Sequence, residues 1–522
     1  MNTIKMSKSK YCKCVQCKKI IWLNKYKPEF AVQTARDSVL ENGKRVGELV
    51  KSLFGKYEGI EFNIDLNVMI EQTKELLKNK PNIIAEASFN YNNNFCSVDI
   101  LKNDEDGVEI YEVKSSTEIH NIYIDDASYQ CYILSNLGLN VKKVCIVYIN
   151  NQYVLGKELE IDKLFNIEDI TDIAKAKQNE IKINIEVLNK YMEEHDKNNE
   201  PLTDIGIKCS DPYDCEYWEY CTRNLPKPNV FDIAGGMRKD KKFQKYYEGK
   251  ISFEDLQYED LNPKYLEQID FELHNLEPKI DKDAIRDLMD SLVYPLYFID
   301  YETYQSAVPE IEGTRPYQQL PFQYSLHIIE SKGAPIEHKE FLAEVEDKDF
   351  IRHFAESMIK DMPKNGSVII YNKSFEPARN NEIAKMYPDL KDEMDRLNSH
   401  MVDFLEPFKQ RKYYTKEMHG SASIKAVLPA LYPNDPELDY HNLPVVHNGG
   451  EASEAFLSLK EKTKEEQEII RHGLLVYCEL DTFAMVKLWQ KFKEIIGEFK
   501  EGQIAIADNE ELENIETNTI LH

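Results

Sequence analysis

Apolar positions change period several times along this chain, and the changes mark two mixed α/β regions with a different stretch between them. Val39, Leu40, Val46, Leu49, Val50, Leu53 and Phe54 recur near helical spacing over 37–56, with Gly43 and Gly47 allowing close approach on another face. Three short β-rich runs follow at 83–89, 95–101 and 108–114. The turn-forming stretches Asn90-Tyr-Asn-Asn-Asn94 and Asn103-Asp-Glu-Asp-Gly107 between them predict successive hairpins. A helical stretch over 125–137 and an apolar strand over 144–149 complete an αβββαβ order. From Pro226 the pattern turns to prolines, Gly235-Gly236, a basic run over 237–245 and short acidic amphipathic segments, which predicts a mainly helical connector. A second α/β pattern opens at Leu296. It has strands over 296–301, 322–329, near Phe341 and over 367–371, a helix over 349–359 and further helices to about 496.

The fold class read from this order is α/β: a mixed-sheet region over 1–225, a helical connector over 226–294, a second α/β region over 295–498 and an acidic tail over 499–522 that is expected to fray. A chain of 522 residues with 42% apolar content can bury two ordinary cores. The formal charge of −27 argues against a general nucleic-acid coat, since nonspecific affinity comes from Lys and Arg meeting phosphates. It leaves room for a local metal site, whose ligands are themselves carboxylates. The early apolar run Ile20-Ile-Trp-Leu23 is too short for a signal segment or a membrane span, so a cytoplasmic chain with no membrane partner is expected. In that setting the ten cysteines are read as thiols, and clustered ones first as metal ligands.

Asp99 closes one predicted strand, while Glu112 and Lys114 share a face of the next because side chains two apart point the same way. Two carboxylates suit Mg²⁺ or Mn²⁺, and a lysine can steady an attacking hydroxide or a phosphate. Alone, Asp plus Glu-x-Lys is more often an exposed strand of alternating charge. The helix before it and the helix after it give it weight. Here the residues resemble the PD-(D/E)XK nuclease superfamily in its RecB-like branch: Gly43-Lys-Arg-Val-Gly-Glu48 is similar to that branch's first helical motif and Tyr129-Gln130-Cys-Tyr132 to its glutamine motif. The resemblance implies a restriction-endonuclease-like core with Asp99 and Glu112 as metal ligands and Lys114, Gln130 and Glu48 in the catalytic set. Glu48 is included because Gly47 stands where many members carry a histidine.

Cys209, Cys215 and Cys221 lie in one short stretch after this region, and Cys17 lies far upstream. One early and three late cysteines resemble the iron–sulfur staple of RecB-like nucleases. By that resemblance the four hold a [4Fe-4S] cluster, with zinc as the competing occupant. Cys12 and Cys14 compete for the first position; Cys17 is preferred for its Gln-Cys-Lys-Lys-Ile-Ile-Trp-Leu setting.

In the second region, Asp300 and Glu302 alternate on one strand, Ile369-Ile-Tyr-Asn372-Lys-Ser-Phe-Glu376 runs a strand into a helix with an acid at its start, and Tyr477 and Asp481 stand at i, i+4 on a helix. The set resembles the DnaQ-like exonucleases of the ribonuclease H fold, in the variant with a tyrosine before the last aspartate. The resemblance implies that Asp300, Glu302, Glu376 and Asp481 hold two metals and that Tyr477 orients the attacking water. Glu376 stands where that family has aspartate. Asp403 reads as structural, and Ser421–Lys425 and His447–Ala452 are similar to secondary segments of such enzymes.

Over nearly its whole length the chain resembles a bacterial family that couples a RecB-like iron–sulfur domain to a DnaQ-like domain. The resemblance implies a metal-dependent DNA nuclease of processing, repair or defence, acting on single strands or free ends, with RNA left open as substrate. The alternative reading is a nucleic-acid-binding scaffold with one or both centres silent. Rings and cations in 239–247 and 408–416 suggest base stacking, and Arg315–Tyr324 a segment guiding substrate. No protein partner is legible.

Overall fold

The computed structural model describes residues 6–32, 37–79 and 81–498, so the acidic tail over 499–522 lies outside the described residues. The chain forms two compact units, Met1–Leu225 with Ser306–Gln318, and Pro226–Gln305 with Gln319–His522. Both are mixed α/β. Among the described residues no helix is long and apolar enough to cross a membrane.

The first unit is built on a sheet ordered β2 (Glu58–Gly59), β3 (Ile83–Tyr91), β4 (Asn94–Asp104), β5 (Gly107–Lys114), β6 (Val141–Ile149) and β7 (Phe165–Asp169), with β1 (Met6–Ser7) parallel to the start of β4. β3, β4 and β5 are antiparallel neighbours, and β5 runs parallel to β6 through helix α5 (Asn121–Asn136). Asn92 and Asn93 both take positive φ between β3 and β4, the mirror-image turn that matches strand twist. The strands bury both faces. Ile84, Val98, Leu101, Ile110 and Ile146 pack with α5, while Ile83, Ala85, Ile100, Tyr111, Cys145 and Val147 pack with Val46 and Val50 of helix α3 (Asp37–Leu53). Val39 and Leu40, counted with the buried face of that helix from periodicity, are exposed instead.

One irregularity in this sheet positions a site residue. Ala85 and Ala87 should share a face but fall in opposite cores, and so do Val98 and Ile100 on the partner strand. The switch occurs where Glu86 takes φ of +60°, a conformation a long side chain seldom adopts. Ala85 pairs with Ile100 and Ala87 with Val98, so Glu86 stands opposite Asp99. The hydroxyls of Ser88 and Ser97 donate to the Glu86 carbonyl at 3.1 and 3.2 Å and hold the kink.

The second unit carries a five-stranded sheet in the order Ile336–Leu342, Leu320–Ile329, Leu296–Tyr304, Ser367–Ile370, Met401–Asp403. The first three strands are antiparallel, and the last two run parallel to the strand Leu296–Tyr304. Leu296 and Phe298 pack against Met485, Leu488 and Trp489 of the 32-residue helix Lys464–Ile495, which opens on a reciprocal Thr463/Glu466 cap.

Three expectations change here. The helical segment after Pro226 has its own small core of Val230, Ile233, Phe253, Leu256 and Ile269 and adds a strand, Lys279–Ile280, to Tyr413–Tyr414; it is part of the second unit rather than a separate connector. Ser306–Gln318 groups with the first unit, where the Ala307 amide donates to Asn42 Oδ1 and the Leu155 amide to the Thr314 carbonyl, both at 3.0 Å. Arg315–Gln318 is thus not part of the second unit. Phe408, Tyr413 and Tyr414 are buried core rings, with Arg411 stacked on Tyr414 at 3.9 Å, and are not free to stack bases.

Candidate metal centres

In the first unit, β4, β5 and α5 deliver Asp99, Glu112, Lys114 and Gln130 to one spot. Asp99 Oδ2 accepts the Val113 amide at 2.7 Å, which ties the first acid to the backbone between the other two motif residues. The Glu112 carboxylate is fully buried; Lys114 donates to it at 2.7 Å and Gln130 Nε2 holds its other oxygen. Lys114 also donates to Asp126 at 2.6 Å, one helical turn before Gln130 on α5.

Lys8, the first residue of helix α1 (Lys8–Gln16), donates to Glu112 at 3.0 and 3.1 Å and to Asp99 at 3.4 Å. Burial and the neighbouring Glu112 push Asp99 up to about 7. Glu112, although buried, is held well below the usual carboxylate range by Lys114 and Lys8. Burial and the charge of Glu112 also push Asp126 up.

Glu48 lies at the rim of this cluster, its charge felt by Glu86. It is exposed on α3 and paired with Lys51 at 2.6 Å, so the structure gives it a peripheral place. Glu86, opposite Asp99, is the further acid, its carboxyl raised by burial. Neither Lys8 nor Glu86 had a sequence signal, since one lies in a plain Lys/Ser stretch and the other depends on a kink. Asp126 could have been found from its i, i+4 spacing to Gln130.

The four thiols named from spacing lie in one region, at the α1–α2 junction (α2, Lys19–Tyr26) and the loop after Glu200, but no three of their sulfurs fall within 4.8 Å of one another. Cys215 and Cys221 each feel the charge of Cys209 and Cys17, and the Cys215 amide donates to the Cys209 carbonyl at 2.9 Å. Burial pushes Cys215 up to about 11. Cys12 lies elsewhere, buried beside Asp126 and Lys114, and Cys14 is core.

In the second unit, Asp300 and Glu302 continue the face of Leu296 and Phe298 toward the long helix. Donor oxygens of Asp300, Glu302 and Asp481 all lie within 4.8 Å of one another. Glu376 begins the helix Glu376–Met386 and is buried, and its charge is felt by Asp300. Glu376 Oε2 is buried with no hydrogen-bond partner, an unmet acceptor of the kind a cation would satisfy. Burial pushes all four up: Glu376 to about 8, Asp481 to about 6, Asp300 and Glu302 well above their ordinary range. For Asp300 the neighbouring Asp481, Glu376 and Glu302 add to the effect.

Asp403 is a brace. Its two oxygens accept the amides of Asn372, Lys373 and Leu405, each at 2.9 Å, and pin the turn in which Asn372 has φ of +89° just before Glu376. Three further residues support the site. Tyr440 donates to Asp481 at 2.6 Å. Lys425 Nζ lies 3.4 Å from the Tyr477 hydroxyl and draws down Asp300, Glu302 and Asp481. Gly449 starts the helix Gly449–Ser458 so close to Glu302 that an added Cβ would sit 3.4 Å from its carboxylate. A helix N-terminus there favours an anion. Lys425 and Gly449 fall in the two segments noted from sequence as secondary, while Tyr440 had no signal.

The chemistry of this donor set is that of carboxylate oxygens close enough for one hard divalent cation to bridge. Comparison with known proteins adds relatives without functions. Residues 297–423 match a family described as a domain of unknown function (DUF2779), a span that contains Asp300, Glu302, Glu376 and Asp403 and ends before Tyr477 and Asp481. The chain is 25% identical over 431 residues to the uncharacterized protein UU173 of Ureaplasma parvum serovar 3, covering 77% of this chain and 60% of that protein. It is 24% identical over 331 residues to the uncharacterized protein MG366 homolog of Mycoplasma pneumoniae, covering 56% of this chain and 49% of that one. The chain therefore spans between half and three-fifths of the length of these relatives. No solved structure gives a significant match.

Proposed function

We propose that this chain is a cytoplasmic, metal-dependent DNA nuclease with two phosphodiester-cleaving centres, the second trimming single strands from the 3′ end. The observation that carries the reading is the gathering of Asp300, Glu302 and Asp481 with the buried, unpartnered oxygen of Glu376. In this reading those four carboxylates hold Mg²⁺ or Mn²⁺, and Asp99 and Glu112 hold one in the first unit. Such ions, when bound, stabilise charge on phosphoryl oxygens and generate a nucleophilic water.

The protein's own groups do the rest. Tyr477, beside Lys425, orients the attacking water against the Asp481 side, and the Lys425 ammonium receives phosphate charge. Tyr440 and the Asp403-braced turn fix Asp481 and Glu376. In the first unit Gln130 fixes Glu112, leaving Lys114 to position the nucleophile. The four thiols carry a [4Fe-4S] cluster, or zinc in its place, with a structural role.

One observation favours a second reading for the first unit alone. The Lys8 ammonium sits between Asp99 and Glu112 and already neutralises them, as it would in a silent centre that binds nucleic acid without cutting it. Digestion of end-labelled single-stranded and duplex DNA, and of RNA, with Mg²⁺ or Mn²⁺ tests both. Asp300→Asn with Glu302→Gln should abolish 3′ trimming and spare the first activity; Glu112→Gln with Lys114→Ala should do the reverse. Intact substrates under every condition with the wild-type protein would sink the nuclease reading, and DNA binding by that protein would then favour the scaffold.

A further inference from the structure

A second cluster of metal-ligating side chains lies beside the four carboxylates and is not used by the reading above. His327 stands directly opposite His338 across the two outer strands of the second unit's sheet, with ring centroids 4.6 Å apart. Glu479 reaches them from the long helix, and one donor atom from each of the three lies within 4.8 Å of the others.

The remaining ring nitrogens are already occupied in a consistent way. His327 Nδ1 lies 2.9 Å from the Thr482 hydroxyl and His338 Nε2 lies 2.9 Å from the Ser325 hydroxyl, while the two hydroxyls are 2.7 Å apart. That pairing leaves His327 Nε2 and His338 Nδ1, the latter 3.8 Å from Glu479. Histidines that ligate metal have their other nitrogen held by a hydrogen-bond partner, and a shared hydroxyl pair performs that task for both rings here.

We propose that His327, His338 and Glu479 form a third metal site, for zinc, at the edge of this sheet. Two imidazoles and one carboxylate are a zinc donor set and a poor one for Mg²⁺. Glu479 is about half exposed, so the fourth position faces water. A buried histidine pair beside a surface acid would account for the approach of His338 Nδ1 to Glu479 alone, whereas the grouping of three donor atoms also brings in His327. Ser325 is the cross-strand neighbour of Asp300, and Thr482 follows Asp481 on the helix. Metal at the histidines therefore fixes, from the outer edge, the helix that delivers Asp481.

The test uses the full chain, with Zn²⁺ added in excess Mg²⁺ and zinc per chain counted after desalting. Glu479→Gln, at a half-exposed position, and His338→Ala should each retain one zinc fewer than wild type and lose the rise in Tm that zinc gives. Ser325→Ala should weaken zinc binding about 10- to 100-fold. Asp300→Asn should leave the count unchanged. Equal zinc in wild type, Glu479→Gln and His338→Ala would overturn the proposal, as would loss of that zinc in Asp300→Asn instead. Thiol-bound zinc is common to all variants and cancels.

Discussion

The Lys8 ammonium reaches both oxygens of Glu112, at 3.0 and 3.1 Å, and through this pair a residue of the N-terminal segment competes for the carboxylates that a metal would need. Lys8→Met should raise Mn²⁺ affinity at the first centre by about tenfold or more, equivalent to about 1.4 kcal/mol. Titration by electron paramagnetic resonance, in an Asp300→Asn/Glu302→Gln background that quiets the second centre, reads this directly. Unchanged affinity would mean that Lys8 leaves the carboxylates at no cost.

The second centre makes a prediction about pH. Glu376 and Asp481 titrate near 8 and 6 in the folded chain and about 4 when unfolded, so the folded state keeps protons that the unfolded chain has lost across that window. Their contribution is therefore greatest at the acid end and declines as pH rises through the folded values. Without divalent ions, Glu376→Gln should match wild type in Tm near pH 5 and exceed it near pH 9. Mn²⁺ should shrink the gap, because it favours the ionised carboxylates. A difference in Tm that does not change with pH would show that Glu376 is not a strained, buried acid.

Asp403 supports Glu376 without touching its oxygens. Removing the acceptor of three backbone amides leaves those donors unpaired and releases the positive-φ turn at Asn372. Asp403→Ala should cost about 2–4 kcal/mol in denaturant unfolding and lower trimming at the second centre. Mn²⁺ should still bind at Asp300 and Glu302. Loss of that ion would make Asp403 a ligand rather than a brace.

Much of this architecture was legible because period changes are local signals. The hairpins of β3, β4 and β5 followed from turns rich in Asn, Asp and Gly, and the Asp300/Glu302 strand and Tyr477/Asp481 helix from spacings of two and four. What stayed hidden depends on distant pairing. Lys8 enters the first cluster only because β1 docks on β4, and Glu86 only because one residue adopts a left-handed conformation. The burial of Tyr413 and Tyr414 follows from a two-residue strand formed with Lys279–Ile280, more than a hundred residues away, which no local pattern announces. Glu48 shows the converse: a motif match placed it in the site, but its helix turns it to solvent beside Lys51.

The thiols give the last prediction. Cys17 lies nearly two hundred residues before Cys209, Cys215 and Cys221, so a cluster joining them would close most of the first unit into one loop. A cross-link over so long a loop stabilises on the order of 5 kcal/mol through the unfolded chain's entropy. Protein purified without oxygen should be brown and hold four irons. Cys215→Ser should lose colour and iron and lower the unfolding temperature of the first unit, while trimming by the second centre persists. Cys14→Ala should keep its iron, because that thiol is buried in the core and is not one of the four. A colourless protein with one zinc released by Cys215→Ser would assign zinc to these thiols. Wild type and Cys215→Ser equally free of metal would leave the four cysteines as ordinary packing.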